Sequence, residues 1–435
     1  MIKLRLFVIG LLWMNMATAQ LYFPPLTTNT WDTISPKTLG WCVDRTDSLY
    51  TLLEQNKTKA FIILKDGKIV VEKYFGTFTA DSAWYWASAG KTITATLIGI
   101  AQQQGLLNIN DTTSKYLGKG WTSCPTEKED LIKIKHQLTM TTGIDYLVPD
   151  WDCTDSACLK YKADAGTQWF YHNATYLLLQ NVLEAASGKT LQQYTNQQLG
   201  LKIGLSGLWY DGVFYSKART MARFGLMMLN NGIWNGDTIL KDRNYYTAMT
   251  NTSQSLNESY GYLWWLNGKN SYKLPASTQT FAGPVCRPAP IDMIAGLGKN
   301  DQKLYIIPSQ KLVIVRMGNA ASDNSPVPVV FDTILWNELN KFMCTNSVGL
   351  TNPTNHDFGI SIWPNPASTQ IELTVNSPKL NHQPINIYNQ LGVLVKQVDV
   401  EINQNTIDIQ DLKAGVYYIE LKSDKASKMV KLVKL

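Results

Sequence analysis

After residue 345 the sequence loses helical periodicity, and no other feature limits the fold as sharply. Beyond that point "QIELTV", "PINIYN", "GVLVKQVDV", "TIDIQ", "GVYYIELKS" and "KMVKLVKL" alternate apolar and polar residues in short runs. Strands at such regular spacing predict a small β-sandwich over residues 359–435. The stretch before them, "TNSVGLTNPTNHDFG", is Asn/Thr-rich and charged only at Asp357, so residues 346–358 read as a linker. Ahead of the break, "KAFIILKDGKIVVEKYFG" predicts a hairpin about Asp66-Gly67, a favoured tight-turn pair. Helical patterns then alternate with Gly-rich loops up to residue 245, with "SKARTMARFGLMMLNNG" the clearest. Strand-like runs return after Tyr260, and a final amphipathic helix is expected over Val330 to Phe342. Strands at both ends of a helical block predict an α/β (α+β) domain over residues 20–345, its sheet built from both ends.

"MIKLRLFVIGLLWMNMATAQ" reads as a signal peptide over residues 1–19. Two cations precede an apolar run, and Ala17-Thr18-Ala19 offers a small-x-small cleavage pattern before Gln20. The run from Leu6 to Met14 is too short for the roughly 20 residues of a membrane span, so no integral span is expected once it is removed. The formal charge of +6 spreads thinly: residues 20–358 carry 30 basic and 27 acidic side chains. That gives no support for nucleic acid binding, which requires a concentrated basic face. Six cysteines in an exported chain favour disulfides, with Cys153 and Cys158 placed for a local loop and Cys42 and Cys344 for a staple across the domain. No Cys-x-x-Cys occurs and the four histidines are scattered, so no metal is expected.

The stretch "WYWASAGKTITATLIGIAQQQG" holds the only Ser-x-x-Lys of the chain, Ser88 to Lys91. Residues three apart at a helix start share a face, about 5–6 Å between Cβ atoms. Lys91 can therefore take a proton from Ser88 if burial keeps its amine neutral, and the amides of the helix start favour a developing oxyanion. The bland alternative makes Ser88 a helix cap and Lys91 a solvated first-turn residue. Trp84, Tyr85 and Trp86 argue against it, because they set the lysine against aromatic walls.

"WASAGKTITATLIGIAQQQGLLNINDTTSKYL" resembles the active-site helix of the serine β-lactamase and penicillin-binding-protein superfamily, more narrowly the class C β-lactamase-like serine hydrolases. "IKIKHQLTMTTGIDY", "YSKARTMARFGLMMLNNGIWNG" and "YGYLWWLNG" resemble further segments in the family's order. "ADAGTQWFYHNATYLLLQNVLEAASGKTL" resembles the segment bearing its Tyr-x-Asn motif, here Tyr171-His172-Asn173. The second Tyr-x-Asn, at Tyr194, matches no motif position and reads as a surface helix face. The resemblance covers about residues 45–342 and implies a β-lactamase/DD-peptidase-like antiparallel sheet with a helical subdomain. It implies an acyl-enzyme at Ser88, Lys91 and Tyr171 as the proton-transfer pair with either as formal base, Asn173 orienting Lys91, and no cofactor.

The family's third motif is relaxed here. In the favoured frame, Ile294-Ala295-Gly296, the Leu297 N–H completes the oxyanion hole beside that of Ser88. The alternative frame, Gly296-Leu297-Gly298, uses the Lys299 amide. Ile294 then stands where the family often carries a cation for a substrate carboxylate, which favours ester or amide hydrolysis over β-lactamase or D-Ala peptidase activity. Arg287 or Lys299 could replace that charge, and an inactive surface binding module is the reading from another class. The loop from Leu147 to Lys162 is expected to rim the pocket, and the expected substrate is a small molecule or short peptide-like ester or amide. "IWPNPASTQIELTV", "INIYNQLGVLVKQVDV" and "IDIQDLKAGVYYIEL" resemble the type A sorting domain of the type IX secretion system. That implies passage through the outer membrane to the surface or medium, with the secretion machinery as partner.

Overall fold

The hairpin forms at Asp66-Gly67, whose positive φ values of 52° and 85° give the turn that joins two twisted strands. The structure, a computed structural model, describes residues 21–321, 329–344, 360–375, 384–389, 394–399, 406–422 and 427–435. The expected signal peptide and linker lie outside these residues. The chain divides into two compact units between residues 345 and 346.

The strands of the first unit are β1 (Thr58–Lys65), β2 (Lys68–Tyr74), β3 (Ala83–Tyr85), β4 (Gly207–Tyr210) and β5 (Val213–Lys217), followed by β6 (Trp265–Leu266), β7 (Ile294–Gly298), β8 (Gln302–Ile307) and β9 (Leu312–Gly318). Its main helices are α1 (Thr46–Gln55), α2 (Lys91–Gln103), α3 (Asn173–Ser187), α4 (Ala218–Leu229) and α5 (Val330–Phe342). Six strands form one antiparallel sheet in the order β2-β1-β9-β8-β7-β6, so both ends of the domain contribute to it. A second sheet, β3-β5-β4, leads into the candidate site.

The central strands are apolar on both faces because helices cover both. Along β8, Lys303 and Tyr305 reach Asp332 of α5 on one side. Leu304, turned the other way by the strand's alternation, lies with Val313 against Gly225 of α4. Helix α2 is buried from Lys91 to Ala101, although it holds three threonines. Thr92 donates to Ala89 O at 2.7 Å and Thr96 to Thr92 O at 2.9 Å, so two of these hydroxyls bond back to their own helix.

The second unit contains β10 (Ile360–Trp363), β11 (Gln370–Val375), β12 (Pro384–Asn389), β13 (Leu394–Asp399), β14 (Thr406–Asp408), β15 (Gly415–Lys422) and β16 (Ser427–Lys434). They form two antiparallel sheets, β10-β11-β14 and β13-β12-β15-β16. Ile371, Leu373 and Ile407 of the first share one core with Ile385, Ile387, Ile419 and Leu432 of the second. The α/β fold with a strand-rich C-terminal unit agrees with the sequence-based expectation.

Candidate active site

Trp86 fixes the start of the site. Its backbone N–H donates to Phe214 O at 2.8 Å, its indole Nε1 to Ser216 Oγ at 2.8 Å, and the ring is fully buried. Ala87 then takes a left-handed φ of 47°, a conformation that costs a non-glycine residue on the order of 1 kcal/mol. This turns the chain into a short 3-10 segment, Ala87–Gly90, that runs directly into α2. Ser88 sits in that segment and is half-buried.

Lys91 is buried at 5% exposure, and its Nζ lies 3.2 Å from Ser88 Oγ. Loss of hydration lowers its pKa to about 7, opposed by the negative charge of Asp152. Its aromatic walls are not the expected ones. Trp84 faces Lys59 instead, at 4.5 Å, and Trp86 packs on Phe214 and Phe224. The rings beside Lys91 Nζ are Tyr176, at 4.1 Å from the centroid, and Tyr171, at 5.2 Å. Sequence reasoning missed Tyr176, although its spacing from Tyr171 along "YHNATY" was visible.

Tyr171 is buried just ahead of α3, its phenol beside the Ser88 side chain. Burial pushes its phenol well above the ordinary value. Trp265 stacks on it at 6.1 Å, and Tyr260 meets it edge-on at 6.2 Å. Thus Trp265 forms a wall of the site, whereas Trp264 is wholly in the core. Asn173 opens α3 with its Oδ1 buried and without a hydrogen-bond partner, so the expected bond from Lys91 is not made. His172 is buried, its Nε2 3.2 Å from Asp145 O.

Strand β7 lies against the Ser88 turn. A Cβ on Gly298 would stand 2.4 Å from Trp86 O, and one on Gly296 3.2 Å from Thr92 Cγ2 and 3.4 Å from Ala89 O. Asn267 N donates to Met293 O at 2.9 Å and Ala295 pairs with Trp265, so odd-numbered residues bond toward β6. The antiparallel alternation turns the Leu297 N–H the same way, past the end of β6, onto an open sheet edge. Lys299 lies outside the strand in a 3-10 turn and is exposed. Ile294 is buried at 8% exposure.

The loop between Ile144 and Tyr161 is closed by a bridge between those residues and by the Cys153–Cys158 disulfide. Trp151 O accepts from Ala174 N at 2.9 Å, which docks the loop on the first turn of α3. Cys42 pairs with Cys344, but Cys124 and Cys286 are free, so the even count did not mean full pairing. Cys286 is buried as an apolar residue, its thiol pushed up to about 12. Tyr194 also differs from expectation: it is buried, not on a surface, and its hydroxyl donates to Gln104 Oε1 at 3.0 Å. Among the described residues, no cluster of His, Cys, Asp and Glu could hold a metal, and no helix is long and apolar enough to cross a membrane.

Residues 53–213 match the Beta-lactamase family, and residues 361–435 match the secretion system C-terminal sorting domain. The chain is 21% identical over 317 residues to the 6-aminohexanoate-dimer hydrolase of Paenarthrobacter ureafaciens, covering 63% of this chain and 76% of that one. The fold is similar to that of a 6-aminohexanoate-dimer hydrolase-like protein of Bacillus anthracis, with TM-score 0.56, 20% identity and coverage of 74% of this chain and 89% of that one. It is also similar to a penicillin-binding protein homologue of Pyrococcus abyssi, with TM-score 0.52, 14% identity and coverage of 89% and 99%. The first unit thus carries a match to the Beta-lactamase family on a fold shared with penicillin-binding-protein homologues, and the second a match to the sorting domain of the type IX secretion system.

Proposed function

We propose that this exported hydrolase cleaves esters or amides through an acyl-enzyme on Ser88. The observation that carries the reading is the contact of Lys91 Nζ with Ser88 Oγ at 3.2 Å, made by an amine whose pKa is lowered to about 7. At neutral pH a large share of that amine is unprotonated and able to accept the serine proton. Tyr171 is shifted the opposite way and keeps its proton. The pair therefore divides the work: Lys91 is the base, and the Tyr171 phenol relays a proton to the leaving oxygen or nitrogen. Ser88 Oγ bonds to the carbonyl carbon as its proton passes to Lys91. The tetrahedral oxyanion is held by the N–H groups of Ser88 and Leu297, with Gly296 allowing β7 to approach. Collapse expels the protonated alcohol or amine, and water then releases the acid by the same route in reverse. Asn173, with its free buried Oδ1, is the group to receive a hydrogen bond from Lys91 or from a substrate amide.

The substrate reading rests on Ile294. A buried aliphatic side chain at that position gives a substrate carboxylate no charge partner, which favours ester or amide substrates over penicillins. Similarity to a 6-aminohexanoate-dimer hydrolase supports amide chemistry. The sorting domain and the expected leader support delivery to the cell surface or medium, with the type IX machinery as partner. We take residues 20–345 as the hydrolase, 346–358 as the linker and 359–435 as the sorting module.

Treatment with a fluorophosphonate and with a fluorescent penicillin, followed by peptide mass mapping, tests this. The expected result is a fluorophosphonate adduct on Ser88 that is absent in Ser88→Ala, with little penicillin labelling. Wild-type protein unlabelled by either reagent would support a binding module instead. Rapid turnover of penicillin would move the assignment to a β-lactamase.

A further inference from the structure

We infer that Tyr176 is a positioning residue for Lys91: its ring holds the ammonium form in place from the moment the amine takes the serine proton until it passes that proton on. The inference rests on the reading of Lys91 as the proton acceptor. Tyr176 lies in α3, and its ring centroid is 4.1 Å from Lys91 Nζ, against 5.2 Å for Tyr171. The ring is 3% exposed, so little water competes with it for the charge. A desolvated cation over an aromatic face is held by the ring's quadrupole.

Three polar contacts keep the ring in this place. Gln180 Nε2 donates to the Tyr176 hydroxyl at 2.9 Å and to Gly212 O at 3.0 Å, which ties α3 to the turn between β4 and β5. Thr94 Oγ1, one turn of α2 past Lys91, is 3.2 Å from the same hydroxyl. Tyr176 thus spans the two helices that carry Lys91 and Asn173. Its phenol, pushed up to about 12 by burial, remains neutral throughout the working range and adds no charge of its own.

The remaining groups facing Lys91 do not supply this function. Ser88 is the neutral partner, Tyr171 lies beside Ser88, Tyr260 lies behind Tyr171, and Asp152 acts at a distance from the disulfide loop. When Lys91 has taken the serine proton, Tyr176 is the closest aromatic face to the new charge. The ring then stabilises the protonated amine until its proton passes by way of Tyr171 to the leaving group.

The sign of the effect follows. A ring that favours the ammonium raises the Lys91 pKa, so removing the ring must lower it. The test titrates Lys91 by NMR of its side-chain carbons in lysine-labelled full-length protein, assigned with Lys91→Arg, in wild type, Tyr176→Phe and Tyr176→Leu. Phe keeps the ring and should leave the midpoint within about 0.3 pH units of wild type. Leu removes it and should lower the midpoint by about one unit, with the acidic limb of kcat/KM for p-nitrophenyl acetate moving alike. An unmoved midpoint in Leu, or equal shifts in Phe and Leu, overturns the inference. Because the NMR titration needs no turnover, failure of Ser88 to form an adduct would count against the proposed function alone.

Discussion

Burying an amine strips water from its charged form, and Lys91, 5% exposed, shows the result as a pKa lowered to about 7. The linkage has a definite sign. Below pH 7 the lysine is charged in both folded and unfolded chains, and the folded state bears the full desolvation cost. Between about 7 and 10.5 the folded group is neutral while the unfolded one is still charged, so the cost fades as pH rises. Lys91→Met should therefore stabilise the protein by roughly 2–4 kcal/mol at pH 7 while lowering kcat/KM by about 10³-fold or more. Chemical denaturation and a chromogenic ester assay check both halves. Wild-type kcat/KM should rise with pH through about 7 and then level.

At the scale of elements, the site depends on how closely β7 lies on the turn before α2. Gly298→Ala places a methyl 2.4 Å from Trp86 O, and backbone on both sides must yield. A displacement near 1 Å at the oxyanion donors is worth on the order of 100-fold, so kcat/KM should fall by about that factor. Near-native circular dichroism would separate this from unfolding. On the sheet's other face, Lys303 is buried against Asp332 of α5, and Asp301 lies 3.1 Å from its Nζ. Asp332→Ala removes its closest carboxylate and should cost about 3 kcal/mol in urea denaturation.

The elements were legible where period and turn chemistry agreed, as in the Asp66-Gly67 hairpin and the helix over Val330–Phe342. Ser88, Lys91 and Tyr171 were legible as a set, because spacing and motif order pointed to one place, and the fold does bring their side chains together. Tyr176 was not, since its role arises from α3 crossing α2, a contact that neither helix announces alone. The direction of Trp84 and Trp86 was misjudged for a similar reason. The left-handed residue at Ala87 swings them away from Lys91, and no residue type there signals that backbone. Cys286 shows how an even count misleads: a thiol can be core filler.

For the whole molecule, the Cys42–Cys344 disulfide joins the approach to α1 with the residue just past α5, across a separation of 302 residues. Cys42 N also donates to Phe342 O at 2.9 Å, so the two ends stay adjacent without the bond. Reducing such a long closure releases unfolded-chain entropy, and Cys42→Ser should cost about 2–5 kcal/mol. A lowered melting temperature with unchanged Ser88 labelling at 20 °C is the expected pattern. That separation fits an exported enzyme whose staple serves durability while α2, α3 and β7 hold the chemistry. The most direct measurement is the rate of fluorophosphonate adduct formation on Ser88 between pH 5 and 9, in wild type and Lys91→Met. The expected rate rises through about pH 7 in wild type and is nearly lost in the variant. An adduct at another residue, or a rate indifferent to both pH and Lys91, would contradict a nucleophile activated by that buried amine.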